Sequence, residues 1–131
     1  MSNINEIINE KQTWNGGVWK DGDFDGIWRG GRFAGGTFAG IWYGGVFESG
    51  TWNGGEWHGG EWRNGVWKCG LWLKGVWRSG EWEGGRWLSG SRYGGVWHDG
   101  VWIRGTWHDG EWQRGFWRGG AWASGSWTTG A

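Results

Sequence analysis

The chain of 131 residues has little of what usually points to chemistry, to nucleic acid or to a membrane. Its single cysteine, Cys69, excludes an intramolecular disulfide framework and a cysteine-based structural zinc site. Thirteen basic residues balance thirteen acidic ones, which argues against a nucleic-acid partner, because duplex binding needs a basic surface. No apolar run approaches the ~20 residues of a spanning helix, so we expect no membrane partner.

The N-terminus also lacks a basic segment followed by an apolar core, the pattern of a secretion signal. We therefore expect the chain to be cytoplasmic at synthesis, with a virion or an extracellular assembly as a later location. The apolar content is concentrated in 19 Trp, and the chain has 33 Gly and no Pro. These values lie far from those of a globular domain with a core of Leu, Ile, Val and Phe.

A repeat of five residues runs from residue 13 to residue 130. Each unit reads any residue, an aromatic residue, any residue, a turn-type residue and Gly, most regularly over 51–90. The span divides into 24 units, of which two, at 23–26 and 37–40, have four residues. The second slot holds Trp in 19 units and Phe in four, and Arg92 is the exception. Such strict self-similarity indicates a chain that winds repeatedly through one shape.

Each unit predicts about three extended residues and a corner. Val, Ile or Thr often precedes the aromatic residue, which favours a short strand, and the Gly content excludes helix in this region. The fourth slot favours Gly, Asp, Asn and Ser, so we expect it to hold the positive φ of a type II turn. The variable third slot is expected to lie in solvent.

Short strands joined by corners that always turn the same way predict an all-β protein, a parallel β-solenoid with its indoles inside. Four units per coil would give a quadrilateral of about six coils and a column ~29 Å tall. The alternative is an antiparallel meander with every indole on one side of a single sheet. That arrangement would expose a very large aromatic patch.

The spacing of the units resembles that of the pentapeptide-repeat family. The resemblance implies a right-handed quadrilateral β-helix in which a large central residue and a small residue two positions earlier both point inward. Trp52 and Gly50, with their equivalents, would take these two places. Trp stands where that family usually has Leu or Phe, and Gly where it has Ala, an exchange that gives the larger indole room. Tandem Trp/Gly repeats also look like those of some bacteriophage proteins.

The first twelve residues contain no Gly and no Trp, so we divide the chain into an N-terminal cap, 1–12, and a solenoid, 13–131. Ile4, Ile7 and Ile8 fall on one face of a helix, and Asn3 with Glu6 resembles a capping box. A short capping helix is expected here, because a terminal repeat otherwise exposes its apolar layer and its open strand edges.

The sequence predicts no catalytic, cofactor-binding or metal-binding residue and no cofactor. The three histidines are third-slot residues at corners expected to be solvated, and four-sided coils would place His98 and His108 on opposite faces. Asp99 and Asp109 follow them in His-Asp-Gly sequences, but no nucleophile matches the pair. His58 has no such neighbour.

Four glutamates recur before Trp and are expected to form surface ion pairs with Lys and Arg: Glu56, Glu61, Glu81 and Glu111. Cys69 occupies a turn slot as a tolerated small residue. For Arg92 we favour a one-residue bulge that turns Arg92 outward and Tyr93 inward. The other possibility is an inward guanidinium that makes cation–π contacts or faces a ligand.

These features predict a non-enzymatic structural protein, a rigid solenoid block that forms homo-oligomers or docks end-on through its C-terminal edge. A fibre or virion component is the expected kind of assembly, because an open parallel edge pairs with another copy or partner. Two alternatives stay open. One is an aromatic-platform module that recognises carbohydrate or a cell-surface receptor, which needs outward-facing indoles. The other is a monomeric inhibitor of another protein.

Overall fold

The structure is a computed structural model that describes residues 12–127. Within this range the chain forms 21 short strands and no helix, and every strand pair is parallel, as where Leu71 pairs with Arg86 and Val76 with Ser91. The predicted parallel β-solenoid is confirmed, and the antiparallel meander is excluded. The predicted capping helix lies outside the described residues.

Three units, not four, make one coil. In the first coils each residue pairs with the residue 14 positions later, as Thr13 does with Ile27. In the later coils the offset is 15 residues, as between Leu71 and Arg86. The solenoid therefore has three faces and about eight turns, and the prediction of four faces and six coils is wrong. A period of five fixes where the corners fall but not the angle that each corner turns.

We number the faces in chain order. Face 1 holds β1 (Gln12–Trp14), β10 (Leu71–Trp72), β13 (Arg86–Trp87), β16 (Val101–Trp102) and β19 (Phe116–Trp117). Face 2 holds β2 (Val18–Trp19), β4 (Arg32–Phe33), β6 (Val46–Phe47), β8 (Glu61–Trp62), β11 (Val76–Trp77), β14 (Ser91–Arg92), β17 (Thr106–Trp107) and β20 (Ala121–Trp122). Face 3 holds β9 (Val66–Trp67), β12 (Glu81–Trp82), β15 (Val96–Trp97), β18 (Glu111–Trp112) and β21 (Ser126–Trp127).

Three longer strands run from face 3 around a corner to face 1 and so belong to both: β3 (Asp23–Trp28), β5 (Thr37–Trp42) and β7 (Thr51–Trp57). The two four-residue units are the face 3 parts of β3 and β5, one above the other. Between β5 and β7 the register shifts, since Phe38 pairs with Trp52 but Ala39 pairs with Gly54. Asn53 is therefore the extra residue at which coils lengthen by one.

The corners depend on the closing Gly. Every positive φ among the described residues belongs to such a Gly, with φ of 113° at Gly85, so the prediction of positive φ at the fourth slot is wrong. A Cβ at Gly85 would overlap the carbonyl oxygen of Gly70 in the coil below and lie 2.9 Å from its backbone nitrogen. The fourth slot is polar for another reason: Asn64, Asp99 and Asp109 accept the N–H of the following Gly at 2.8–2.9 Å.

Candidate functional site

The core consists of three columns of stacked rings. Trp67 lies 4.7 Å from Trp82 in the next coil, centroid to centroid, with 6° between the ring planes. The same ring meets its chain neighbour Trp72 edge to face, at 5.8 Å and 71°. Eighteen aromatic side chains are buried in this way, nearly all with no exposed area. Both geometries are favourable for aromatic pairs, so each ring is held by the coils above and below it and by its own coil.

This burial confirms the expectation that the indoles point inward. A platform that stacks on sugars or bases needs an open ring face, which the buried indoles do not offer. The exposed aromatic residues are instead Tyr43, Tyr93 and Phe116, at 48, 43 and 64%. Tyr43 stacks on His58 at 4.9 Å and Tyr93 on His108 at 4.3 Å, so outward rings also form coil-to-coil contacts.

Arg92 occupies the aromatic slot of β14 and is fully buried, while Tyr93 lies outside. The predicted bulge is wrong, because Arg92 pairs in unbroken register with Trp77 below and Trp107 above. Its guanidinium carbon lies 4.6 Å from the ring centroid of Trp77 and 4.9 Å from that of Trp107. None of its three nitrogens has a hydrogen-bond partner among the described residues. The guanidinium thus replaces one ring in the face 2 column through cation–π contacts.

Loss of water around this guanidinium lowers the pKa of Arg92 well below its usual value. A buried cation without an anion or an acceptor costs free energy, and the two ring faces offset only part of that cost. Arg92 is therefore an inward position at which burial opposes the charge of the side chain.

The histidines lie apart and bind no common partner. His98 contacts Glu81 at 3.1 Å and Gln113 at 2.9 Å, within a ladder of third-slot and first-slot residues on face 3. His58 contacts Glu56 at 3.1 Å on face 1, and His108 stacks on face 2. No cluster of three metal-ligating side chains exists within residues 12–127.

Surface ion pairs connect successive coils, and the predicted pairing with Arg is confirmed for Glu61, whereas Glu81 contacts His98 instead. Glu61 contacts Arg78 at 2.8 Å and Arg63 at 3.4 Å, and Arg32 pairs with Glu48. Fourth-slot hydroxyl and thiol groups also bridge coils. Cys69 Sγ donates to the carbonyl oxygen of Asn53 at 3.2 Å, which gives the lone cysteine a structural contact.

The neutral chain separates its charges by face, if each corner residue is assigned to the unit that contains it. Face 1 has Arg29, Lys74, Arg86, Arg104 and Arg118 against Glu56. Face 3 has the opposite balance, with Asp23, Asp25, Glu81, Glu83, Asp99 and Glu111 against Lys68 and Arg114. Face 2 is balanced. Since four-sided coils would have scattered these residues, the sequence reasoning missed the polarity.

Face 1 is also the apolar side of the last four described coils. Its outward apolar residues there are Leu71, Leu73, Leu88, Val101, Ile103 and Phe116. All but Phe116 are half-buried, and Phe116 is the most exposed of the exposed large hydrophobic residues. The cations of this region, Lys74, Arg86, Arg104 and Arg118, are exposed, and no ion pair among residues 12–127 includes any of them. The sequence did contain a trace of this surface, because Leu73, Leu88 and Ile103 recur at one slot every third unit.

The two ends of the described solenoid present complementary groups. At the last coil the rings of Trp117, Trp122 and Trp127 are only partly buried, because no described coil lies above them. At the first coil the backbone N–H groups of the third-slot residues point away from the second coil. The N–H of Asp25 donates to the side-chain oxygen of Gln12 at 3.2 Å. Inside the solenoid such third-slot N–H groups donate to the carbonyl of the aromatic residue one coil below, as Arg29 does to Trp14 at 2.7 Å.

Comparison with protein-family models, with curated proteins and with solved structures found no match. Across the described residues no helix has the length and apolar character needed to cross a membrane.

Proposed function

We propose that this protein is a non-enzymatic structural block, a rigid β-solenoid that self-associates or docks end-on into a larger assembly such as a fibre or a virion component. The observation that carries the proposal is the match between the two ends. The last described coil offers three partly exposed rings and upward carbonyls, and the first described coil offers the partly exposed rings of Trp14 and Trp19 and downward N–H groups.

A second copy placed on the last coil continues the ladder without a change of register. Its Trp14 and Trp19 would stack on Trp117 and Trp122, an arrangement that requires the N-terminal segment to leave the first coil accessible. Addition of a strand to an open parallel edge is a common mode of recognition, and a head-to-tail contact that does not close produces a filament.

Small-angle X-ray scattering over a concentration series tests this proposal. Eight coils at ~4.8 Å make a rod about 38 Å tall, so end-on assembly should increase the maximum dimension in steps of about that length. The blocking variant is Asn15→Pro/Lys20→Pro, which removes two downward N–H groups that no described coil uses.

The matched control is Asn15→Ala/Lys20→Ala, which keeps both N–H groups. We expect the control to lengthen as the wild type does and the proline variant to remain one block long. A wild type whose length does not change with concentration would remove the support for end-on assembly.

A further inference from the structure

We propose that the blocks also associate side by side, with face 1 of one copy packed on face 3 of a second copy at the same coil level. This inference rests on the proposed function, since it adds a lateral contact to a self-associating block. Its occupant is a second copy of this chain, and the evidence is the opposite polarity and the area of the two faces.

The area of the ends is small for a stable interface. A triangular coil with sides of about five residues, or roughly 16 Å, covers only about 110 Å². A side face of about 38 Å by 16 Å covers roughly 600 Å² per copy, or about 1,200 Å² in total. Stable protein interfaces begin near this value, so the side faces can supply an area that the ends alone do not.

The charges of the two faces are opposite at each level from the fourth to the sixth coil. In the fifth coil Lys74 of face 1 is level with Glu81 and Glu83 of face 3, and in the sixth Arg86 is level with Asp99. A parallel copy with its face 3 on face 1 would bring Lys74, Arg86 and Arg104 beside carboxylates. Complementary charges of this kind fix partner and register more than they add affinity.

The match also holds where the sign reverses. In the fourth coil face 1 has the acidic Glu56, and face 3 at that level has the basic Lys68. A uniformly acidic partner or an anionic lipid surface would repel Glu56. Face 3 of a second copy instead places the cation Lys68 at the level of Glu56.

The centre of the contact is apolar. Leu73, Leu88 and Ile103 form a continuous row on face 1, and face 3 offers Val96 together with the aliphatic stems of its glutamates. An apolar centre with a charged rim is the usual anatomy of a protein interface. Face 2 lacks this combination, because it carries equal numbers of outward cations and carboxylates and has no row of outward Leu or Ile residues.

The test uses charge reversal on the full chain and the cross-sectional radius of gyration from X-ray scattering. The face 1 variant is Lys74→Glu/Arg86→Glu, and the face 3 variant is Glu83→Lys/Asp99→Lys, so that the reversed charges lie in the same two coils. The control, Arg63→Glu/Arg78→Glu, makes the same charge change on face 2. Near-ultraviolet circular dichroism checks that each variant keeps the stacked core.

We expect the wild type and the control to thicken with concentration, and each side-face variant to keep the cross-section of one block. An equimolar mixture of the two side-face variants should thicken again, because the reversed faces are complementary to each other. We expect the midpoint concentration of thickening to rise at least tenfold in each single variant and to return to within threefold in the mixture.

The inference is wrong if the wild type never thickens, if either side-face variant thickens as the wild type does, or if the mixture fails to recover. In the last case face 1 binds some other acidic or apolar group, such as residues 1–11 or a lipid headgroup. If a charge-reversed variant misfolds, Arg86→Gln and Glu83→Gln replace the pair, and each must shift the midpoint upward. End-on assembly is read separately from particle length, so either contact can fail without the other.

Discussion

The guanidinium of Arg92 lies 4.6 Å from the ring centroid of Trp77, in a column that is otherwise made of aromatic rings. The side chain has no exposed area and no hydrogen-bond partner for any of its nitrogens within residues 12–127. A repeat built to bury indoles therefore accepts one cation, and it does so without a bulge. Mutation of Arg92 can measure how much this exception costs in free energy of unfolding.

Replacement of this residue by the residue of the repeat, Arg92→Trp, is expected to stabilise the protein. The change removes an unpaired buried charge and restores the stack between Trp77 and Trp107, and buried charges replaced by apolar groups typically gain about 1–4 kcal/mol. Urea unfolding followed by tryptophan emission measures the difference. Tyr93→Ala is the control and should have little effect, because Tyr93 lies outside. A large loss in Tyr93→Ala with no gain in Arg92→Trp would instead indicate the bulged arrangement.

Adjacent glycines at one corner should differ sharply in their tolerance of a methyl group. Gly85→Ala places a Cβ on the backbone of Gly70 at a φ of 113°, whereas Gly84→Ala meets only the carbonyl oxygen of Lys68 at 3.6 Å. We expect a loss of about 3 kcal/mol or more for Gly85→Ala and less than about 1 kcal/mol for Gly84→Ala. Thermal unfolding of the two variants checks the contrast. Equal losses would show that the corner adjusts to a side chain.

Much of the fold could be predicted from the sequence, because the repeat encodes local structure directly. The alternation of residues around Trp67 predicts a short strand with an inward-facing ring. The closing Gly predicts a corner that turns the chain in the same direction in every unit. The number of faces could not be obtained from the unit alone, since three or four equal corners both close a coil. The two short units were the available clue. They lie three units apart, which places them on one face only if a coil has three.

The candidate surfaces were harder to predict, because each depends on which units share a face. Lys74 and Arg86 become neighbours only when every third unit is aligned, and the same holds for Glu83 and Asp99 on the opposite side. Arg92 was misplaced for a different reason. The general cost of burying a charge favoured an outward guanidinium, but the sequence could not show that two flanking indoles would cover it.

Deletion of Asn53 should be tolerated better than deletion of Arg63, although both are third-slot residues. Asn53 has no partner in the coil below, because the register passes from Trp52 to Gly54 there, so its deletion only moves the change of coil length up by one coil. Arg63 lies between regular five-residue units, and its N–H donates to the carbonyl of Phe47 at 2.8 Å. We expect cooperative thermal unfolding in both variants, with a clearly greater loss of melting temperature for the Arg63 deletion. The reverse order would mean that the bulge at Asn53 is itself required.

Removal of a core ring should cost more in the middle of a column than at its end. Trp82 stacks on Trp67 and Trp97, at 4.7 Å in each case, whereas Trp122 has one stacking neighbour among residues 12–127, Trp107 at 4.9 Å. We expect Trp82→Ala to lose about 3–5 kcal/mol and Trp122→Ala distinctly less, since stability in a solenoid is close to a sum over neighbouring repeats. Urea unfolding in dilute solution, where assembly is absent, measures the folding term. At high concentration the cost of Trp122→Ala should increase, because end-on contact supplies the missing ring of a second copy. An unchanged cost would show that Trp122 remains uncovered.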